Sequence, residues 1–140
     1  MTKSMTKDEV IDLIQDSGYG ILATMDGDTP KARPMMPYLN DDGNLLLAVL
    51  SNSRTIPQIK KNPKVEICYL DRKMCFARVH GKARVSEDLG KKEIVWSNIP
   101  MLRQYFSGPE DKHYVLIEIE TELVEAMTPH HQKPDILSLK

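Results

Sequence analysis

Residues 74–85 carry the strictest pattern in the chain. Cys75, Ala77, Val79, Gly81, Ala83 and Val85 are small or apolar, and the positions between them include Arg78, His80, Lys82 and Arg84. A period of two with one apolar set describes a strand with one buried and one wet face, and a slip of one residue would turn every side chain over. Gly81 in mid-strand predicts a bend or bulge of the kind that curls a sheet.

Strand-like runs recur on both sides. Residues 20–25 form a short apolar strand closed by the turn signal Asp26-Gly27-Asp28, and residues 31–39 read as extended up to a second turn at Asp41-Asp42-Gly43-Asn44. Leu45–Leu50 is continuously apolar, as expected of a strand covered on both faces. These three runs predict a meander. Lys64–Leu70 precedes the alternating strand, and residues 113–124 end the series, with Val115, Ile117, Ile119 and Leu123 on one face and Glu118, Glu120 and Glu122 on the other.

Helices punctuate the strands. Thr6 and Glu9 have capping-box spacing, Val10, Leu13 and Ile14 make an apolar stripe, and Gly18 is a stop. Ser53 is placed to cap a helix over 54–61 that Asn62-Pro63 ends, and Ser86 to cap one reaching about Ser97. A further helical turn spans 99–106 before Gly108-Pro109 breaks it. Six strands with helices around them make a mainly β (α+β) fold, most simply a small antiparallel barrel with peripheral helices. A length of 140 residues bounds this to one domain, 1–140, with its core over about 6–125 and a polar, irregular tail over 126–140.

Charge narrows the partners. Nineteen Lys+Arg stand against 20 Asp+Glu, a net charge of −1, which disfavours nucleic acid and anionic membranes as partners. No apolar run approaches the roughly 20 residues that span a bilayer. The first five residues lack the apolar stretch of a secretory signal, and two cysteines are too few for a disulfide scaffold, so a reduced, cytoplasmic protein is expected. Nucleophile elbow, Walker loop, dinucleotide fingerprint and His-Glu-x-x-His are missing. Cys68 and Cys75 lie too far apart for a zinc pair and read as core side chains. His130-His131 reads as a solvated tail pair, His80 and His113 stand alone, and no metal site is expected.

Two segments are unusual. Pro30-Lys31-Ala32-Arg33-Pro34-Met35-Met36-Pro37-Tyr38 places three prolines where each removes a ladder donor, so the segment must be an edge or leave backbone groups unpaired. Such groups suit a planar heterocycle; an aggregation-protected edge is the plainer alternative. Leu50-Ser51-Asn52-Ser53-Arg54-Thr55 ends a strand and begins a helix, offering hydroxyls, a forked cation and helix N–H groups to a phosphate, or simply an N-cap. Side by side, the two segments fit one ligand, a flavin mononucleotide (FMN).

Taken in order, Ala23-Thr24-Met25-Asp26-Gly27-Asp28-Thr29-Pro30, Arg33-Pro34-Met35, Asp42-Gly43, Ser53-Arg54-Thr55 with Gln58-Ile59, and Asn62-Pro63 resemble the pyridoxamine 5′-phosphate oxidase-like flavin-binding proteins. The stretch from Tyr105 through Asp111 followed by Tyr114-Val115-Leu116-Ile117 is similar to the short general-stress-protein branch of that family. The resemblance covers about residues 6–125. It implies a six-stranded antiparallel split β-barrel and a homodimer with FMN at the subunit interface. By motif position Arg33, Pro34, Met35 and Met36 would line the flavin, Ser53, Arg54 and Thr55 would hold its phosphate, and Val49, Leu50 and Ser51 would lie by the ring or ribityl chain. Trp96 and Phe106 are candidate contributions from the partner subunit, with a buried structural role as the alternative for each.

The departures are specific. Thr55 stands where the family commonly has lysine, Tyr38 where the true oxidase has a lysine for the substrate phosphate, and Phe76 where a glutamine contacts the ring. The C-terminal Arg-x-His substrate motif is absent. These argue against a pyridoxamine-phosphate oxidase; the resemblance implies an FMN-dependent oxidoreductase of unknown small-molecule substrate, with reduced nicotinamide as one possible donor. The alternatives are a non-catalytic flavin-binding stress or redox-sensing module, or a deazaflavin- or haem-binding barrel. No catalytic residue is assigned.

Overall fold

The computed structural model describes residues 4–131 and 133–140. Its elements are α1 (Lys7–Ser17), β1 (Gly20–Asp26), β2 (Thr29–Met35), β3 (Tyr38–Leu39), β4 (Leu45–Leu50), α2 (Thr55–Lys61), β5 (Lys64–Leu70), β6 (Phe76–Ser86), α3 (Leu89–Asn98), a 3-10 turn (Pro100–Gln104), β7 (Tyr114–Met127) and β8 (Asp135–Leu137). The strands form one antiparallel sheet in the order β2-β1-β5-β6-β7-β4-β3, with β8 added to β7. β2 and β3 are the two ends of this path, so the sheet curls into a split barrel but does not close.

The fold is mainly antiparallel β with helices around it, as the sequence predicts. The strand count is eight rather than six. β3 is a two-residue strand that appears once Met36-Pro37 interrupts the extended run, and β8 lies in the tail expected to be irregular. Leu139 beyond it is buried against the main core. Gly43, at a φ of 80°, leaves room for the Leu139 backbone, where a Cβ would come within 2.6 Å of the Leu139 carbonyl. The meander is corrected too. β1 and β2 form a hairpin, whereas β4 pairs with β3 and β7 at the other end of the sheet.

β6 and β7 are the long central pair. The alternation on β6 holds, with Ala77, Val79 and Ala83 buried and Lys82 and Arg84 exposed. The register shifts between His80 and Gly81: His80 pairs with Leu123 and Gly81 with Thr121, which leaves Glu122 as an extra residue on β7. A methyl group at position 81 would run into the Glu120 carbonyl and Ile119, so only glycine permits this approach. The bulge also explains a missed face. Thr121, before it, is buried like Ile117 and Ile119; past it the phase of β7 inverts, so Leu123 turns outward while Val124 is buried.

Two cores result. The inner one gathers Leu22, Leu45, Leu47, Val49, Ile67, Val79, Ile117 and Ile119, and α1 packs Val10, Leu13 and Ile14 into it. Each such apolar side chain contributes roughly 1.5–3 kcal/mol. The expected capping box is present: the Glu9 amide donates to the Thr6 hydroxyl and the Thr6 amide to the Glu9 carboxylate, both at 3.2 Å. The outer core, Leu46, Val95, Leu102, Phe106, Tyr114 and Leu116, lies under α3 and the 3-10 turn. β4 is therefore covered on both faces, as its continuous apolar run requires. Two predicted caps shift: Asp88, not Ser86, caps α3, and Arg54 rather than Ser53 occupies the cap position of α2.

Gly81→Ala is expected to destabilise the protein by about 1–3 kcal/mol through overpacking at the bulge. Urea unfolding measures it, with a shift of less than a few tenths of a kcal/mol contradicting the role given to this residue.

Candidate functional site

Curling brings the end of β2 and the end of β4 to one cleft of about 850 Å³. Pro34, Met35 and Met36 form one side, and Ala48, Val49, Leu50, Asn52 and Ser53 another. The third side comes from the segment after α3: Ile99, Met101, Leu102, Tyr105 and Phe106, with Tyr19 at the rim. Among the described residues, no Asp, Glu, Lys, Arg or His lines it. Leu50 and Met101 are each 43% exposed, and Tyr19 and Tyr105 each 58%, so the cleft has an apolar, open mouth.

Each wall has a local cause. β2 is an edge strand containing Pro30 and Pro34, and Met36-Pro37 lies outside any ladder. β4 ends where the Ser53 amide turns back to the Leu50 carbonyl at 2.8 Å and the Ser53 hydroxyl accepts from the Thr55 amide at 3.2 Å. Pro100 starts the 3-10 turn. Phe106 anchors this segment by stacking on Tyr114 at 5.0 Å between ring centroids.

Of the residues singled out in the sequence, Pro34, Met35, Met36, Val49, Leu50 and Ser53 meet in this cleft. Arg33, Ser51, Arg54 and Thr55 are not in its walls. Arg33 reaches behind the cleft, donating to the Gln58 side-chain carbonyl at 2.8 Å and to the Leu22 carbonyl at 3.3 Å. Gln58 also accepts from the Thr24 hydroxyl at 2.6 Å, so β1, β2 and α2 share one buried junction. Burial there lowers the Arg33 pKa. Arg54 is exposed and Thr55 is buried. Phe106 lines this chain's own cleft, whereas Trp96 packs on the outer core with the Arg103 guanidinium 4.7 Å above its ring. Tyr38 packs against the outer core and Phe76 pairs with Leu70 and Met127, both outside the cleft wall.

Sequence reading missed Tyr19, Ala48, Asn52, Ile99, Met101, Leu102 and Tyr105. The last four lie in a segment whose helical pattern is legible but whose position over β4 is set by tertiary packing. Leu102 is the exception in burial, packing into the outer core beneath the cleft.

The sequence and the fold match known proteins. Residues 5–131 match the family described as pyridoxamine 5′-phosphate oxidase like. The chain belongs to that family. It is 27% identical over 146 residues to general stress protein 26 of Bacillus subtilis (strain 168), covering 99% of this chain and 100% of that protein. The crystal structure of general stress protein 26 from Bacillus anthracis str. Sterne superposes with a TM-score of 0.81 at 29% identity, covering 95% of this chain and 98% of that one. A heme binding protein from Mycobacterium smegmatis shares the fold at a TM-score of 0.77 and 14% identity, over 98% of this chain and 60% of that one. Among the described residues, no helix in this family member is long and apolar enough to cross a membrane.

The cleft's third side depends on how α3 is held. Lys91 donates to Glu118 at 2.9 and 3.0 Å, Arg84 donates to it at 2.8 Å, and the Tyr114 hydroxyl donates to the Lys92 carbonyl at 2.9 Å. Burial pushes the Tyr114 phenol up to about 12, so it remains a donor at neutral pH. Glu118, expected on a wet face, is only 2% exposed because α3 covers that part of β7. Burial alone would raise its pKa, but the hydrogen bonds and charges of Lys91 and Arg84 outweigh burial and hold it below the usual 4.5. A depressed carboxyl stabilises the fold above its unfolded pKa, and this contribution is lost as pH falls through the folded value. Glu118→Gln is expected to cost about 1.5–3 kcal/mol at neutral pH. The gap to wild type should close on acidification; urea titrations showing a pH-independent gap would contradict this.

Proposed function

We propose that this chain binds FMN in the cleft and acts as an FMN-dependent oxidoreductase, with a second copy of the chain closing the open side. The carrying observation is an uncharged cleft of about 850 Å³ between the Pro34–Met36 margin and the end of β4, with the Arg54 cation beside it in sequence. The flat apolar walls suit a ring system. The unpaired Met36-Pro37 backbone suits its polar edge, and Asn52, Ser53 and Arg54 suit a phosphate. The residues present thus fit the group.

The bound flavin would supply two-electron transfer. The chain's own part is placement. Pro34, Met35 and Met36 hold one edge of the site rigidly, because proline restricts the backbone there. Val49 and Leu50 exclude water from one face. Arg33, locked to Gln58, keeps β2 and α2 at a fixed separation and so sets the width of the site from behind. A cleft with no acid or base in its walls suits chemistry carried by a cofactor. A small organic substrate or a reduced nicotinamide would then stack on the ring face that Val49 and Leu50 leave uncovered.

The exposed rim of Tyr19, Leu50, Met101 and Tyr105 supports a homodimer, since a second copy would cover an apolar patch otherwise in water. Free Cys68 and Cys75 suit a reducing compartment such as the cytoplasm. Haem is a second reading, favoured by the thioethers of Met35, Met36 and Met101 and the phenols of Tyr19 and Tyr105, which include haem-ligand types.

Calorimetric titration of the ligand-free protein with FMN and with riboflavin tests the proposal. FMN is expected to bind about 10–100-fold more tightly than riboflavin, the worth of one or two charge-assisted hydrogen bonds. Arg54→Ala should collapse that ratio toward one while riboflavin affinity stays unchanged. Equal affinities in wild type would contradict the phosphate assignment, haem uptake without flavin uptake would favour the second reading, and flavin binding without NADH or NADPH oxidation would favour a binding module.

A further inference from the structure

We propose that Glu66, His80 and Glu125 form a site for a divalent transition-metal ion of the zinc class on the outer face of the sheet, away from the cleft. The three residues stand on three adjacent strands. Glu66 of β5 pairs directly with His80 of β6, and Glu125 of β7 pairs with Arg78, two residues from His80 on the same face. Sequence spacing hides this cluster, because 14 positions separate Glu66 from His80 (80 − 66) and 45 separate His80 from Glu125 (125 − 80). His80 therefore does not stand alone, contrary to what its sequence context predicts.

The donors converge. Glu66 Oε1 lies 3.1 Å from His80 Nδ1, and Glu125 Oε1 lies 2.6 Å from His80 Nε2. One ligand atom from each residue falls within 4.8 Å of the other two. The Arg78 guanidinium stands 3.6 Å from the other Glu125 oxygen, Oε2, which leaves Oε1 turned to the imidazole. All three side chains are partly exposed, so an ion reaches them without opening the fold.

In its neutral form the imidazole has a single N–H, while a carboxylate oxygen faces each ring nitrogen, so one nitrogen lone pair is open to a metal ion. In that form one of the two contacts sets a nitrogen lone pair against an anionic oxygen. A metal ion between them turns that repulsion into two coordinate bonds, while the carboxylate on the other nitrogen fixes the tautomer, an arrangement common around histidine-bound metals. Tetrahedral coordination at about 2.0–2.1 Å places neighbouring donors about 3.3 Å apart, so Glu125 need move less than about 1 Å. An imidazole nitrogen with a carboxylate oxygen as ligands, and the second carboxylate on the other ring nitrogen, suits zinc or a neighbouring first-row ion better than calcium or magnesium, which take oxygen ligands. Two carboxylates against one arginine leave a net negative charge to attract it.

The test uses the metal-stripped full chain carrying His130→Ala and His131→Ala, which removes the tail imidazoles as competitors. Titration with Zn²⁺ by calorimetry is expected to show one equivalent bound per chain. His80→Ala should lower affinity at least 100-fold, and Glu66→Gln or Glu125→Gln each about 10–100-fold. Excess Mg²⁺ should not displace the ion. The His80 imidazole NMR signals of the parent chain should shift on Zn²⁺ addition, a readout that needs no variant at the site. Absence of saturable uptake, uptake unchanged by His80→Ala, or imidazole signals that move with pH but not with Zn²⁺ would overturn the proposal.

Discussion

The β6–β7 ladder governs the rest of the molecule. It is the longest pairing in the sheet, and its bulge at Gly81 and Glu122 lets the strands coil instead of lying flat. Coiling carries the two ends of the sheet around until the last residues of β2 and β4 face one another. These strands are separated by four others in the sheet order and share no ladder. The cleft is the gap left where the barrel stops short of closing.

The same geometry explains the chemistry of the gap. Edge positions tolerate proline, and the proline-rich margin leaves backbone without a neighbouring strand. The opposite wall is lent by the chain after α3, held from behind by Lys91 and Arg84 on Glu118 and by Tyr114 on the Lys92 carbonyl. Charged groups are spent on holding the walls in place rather than on lining them. Arg33 is the clearest case: its guanidinium serves the Gln58 junction, not the cleft. An uncharged slot of this kind offers shape and apolar surface rather than acid–base chemistry.

Much of this was legible in the residues. The alternation over 74–85, the doubly covered Leu45–Leu50 strand, the Thr6–Glu9 capping box and the glycine at the bulge are local signals, and local physics produces them. What was hidden depends on registers and contacts between distant segments. The phase inversion at Glu122 turned Leu123 outward, α3 buried Glu118, and β8 formed because β7 offered it a partner. Of the site, both margins could be read from Pro34–Met36 and Val49–Ser53. The third wall, including Met101 and Tyr105, could not, because nothing in its own pattern says which strand it will cover. The His80 cluster was invisible for the same reason: cross-strand neighbours leave no spacing motif.

A crystal structure of the full chain grown with FMN tests the central claim most directly. The account predicts an isoalloxazine ring between Pro34–Met36 and Val49–Leu50, its phosphate against Asn52, Ser53 and Arg54, and a second copy over the rim. A cleft filled by this chain's own side chains, or flavin found elsewhere on the surface, would contradict it.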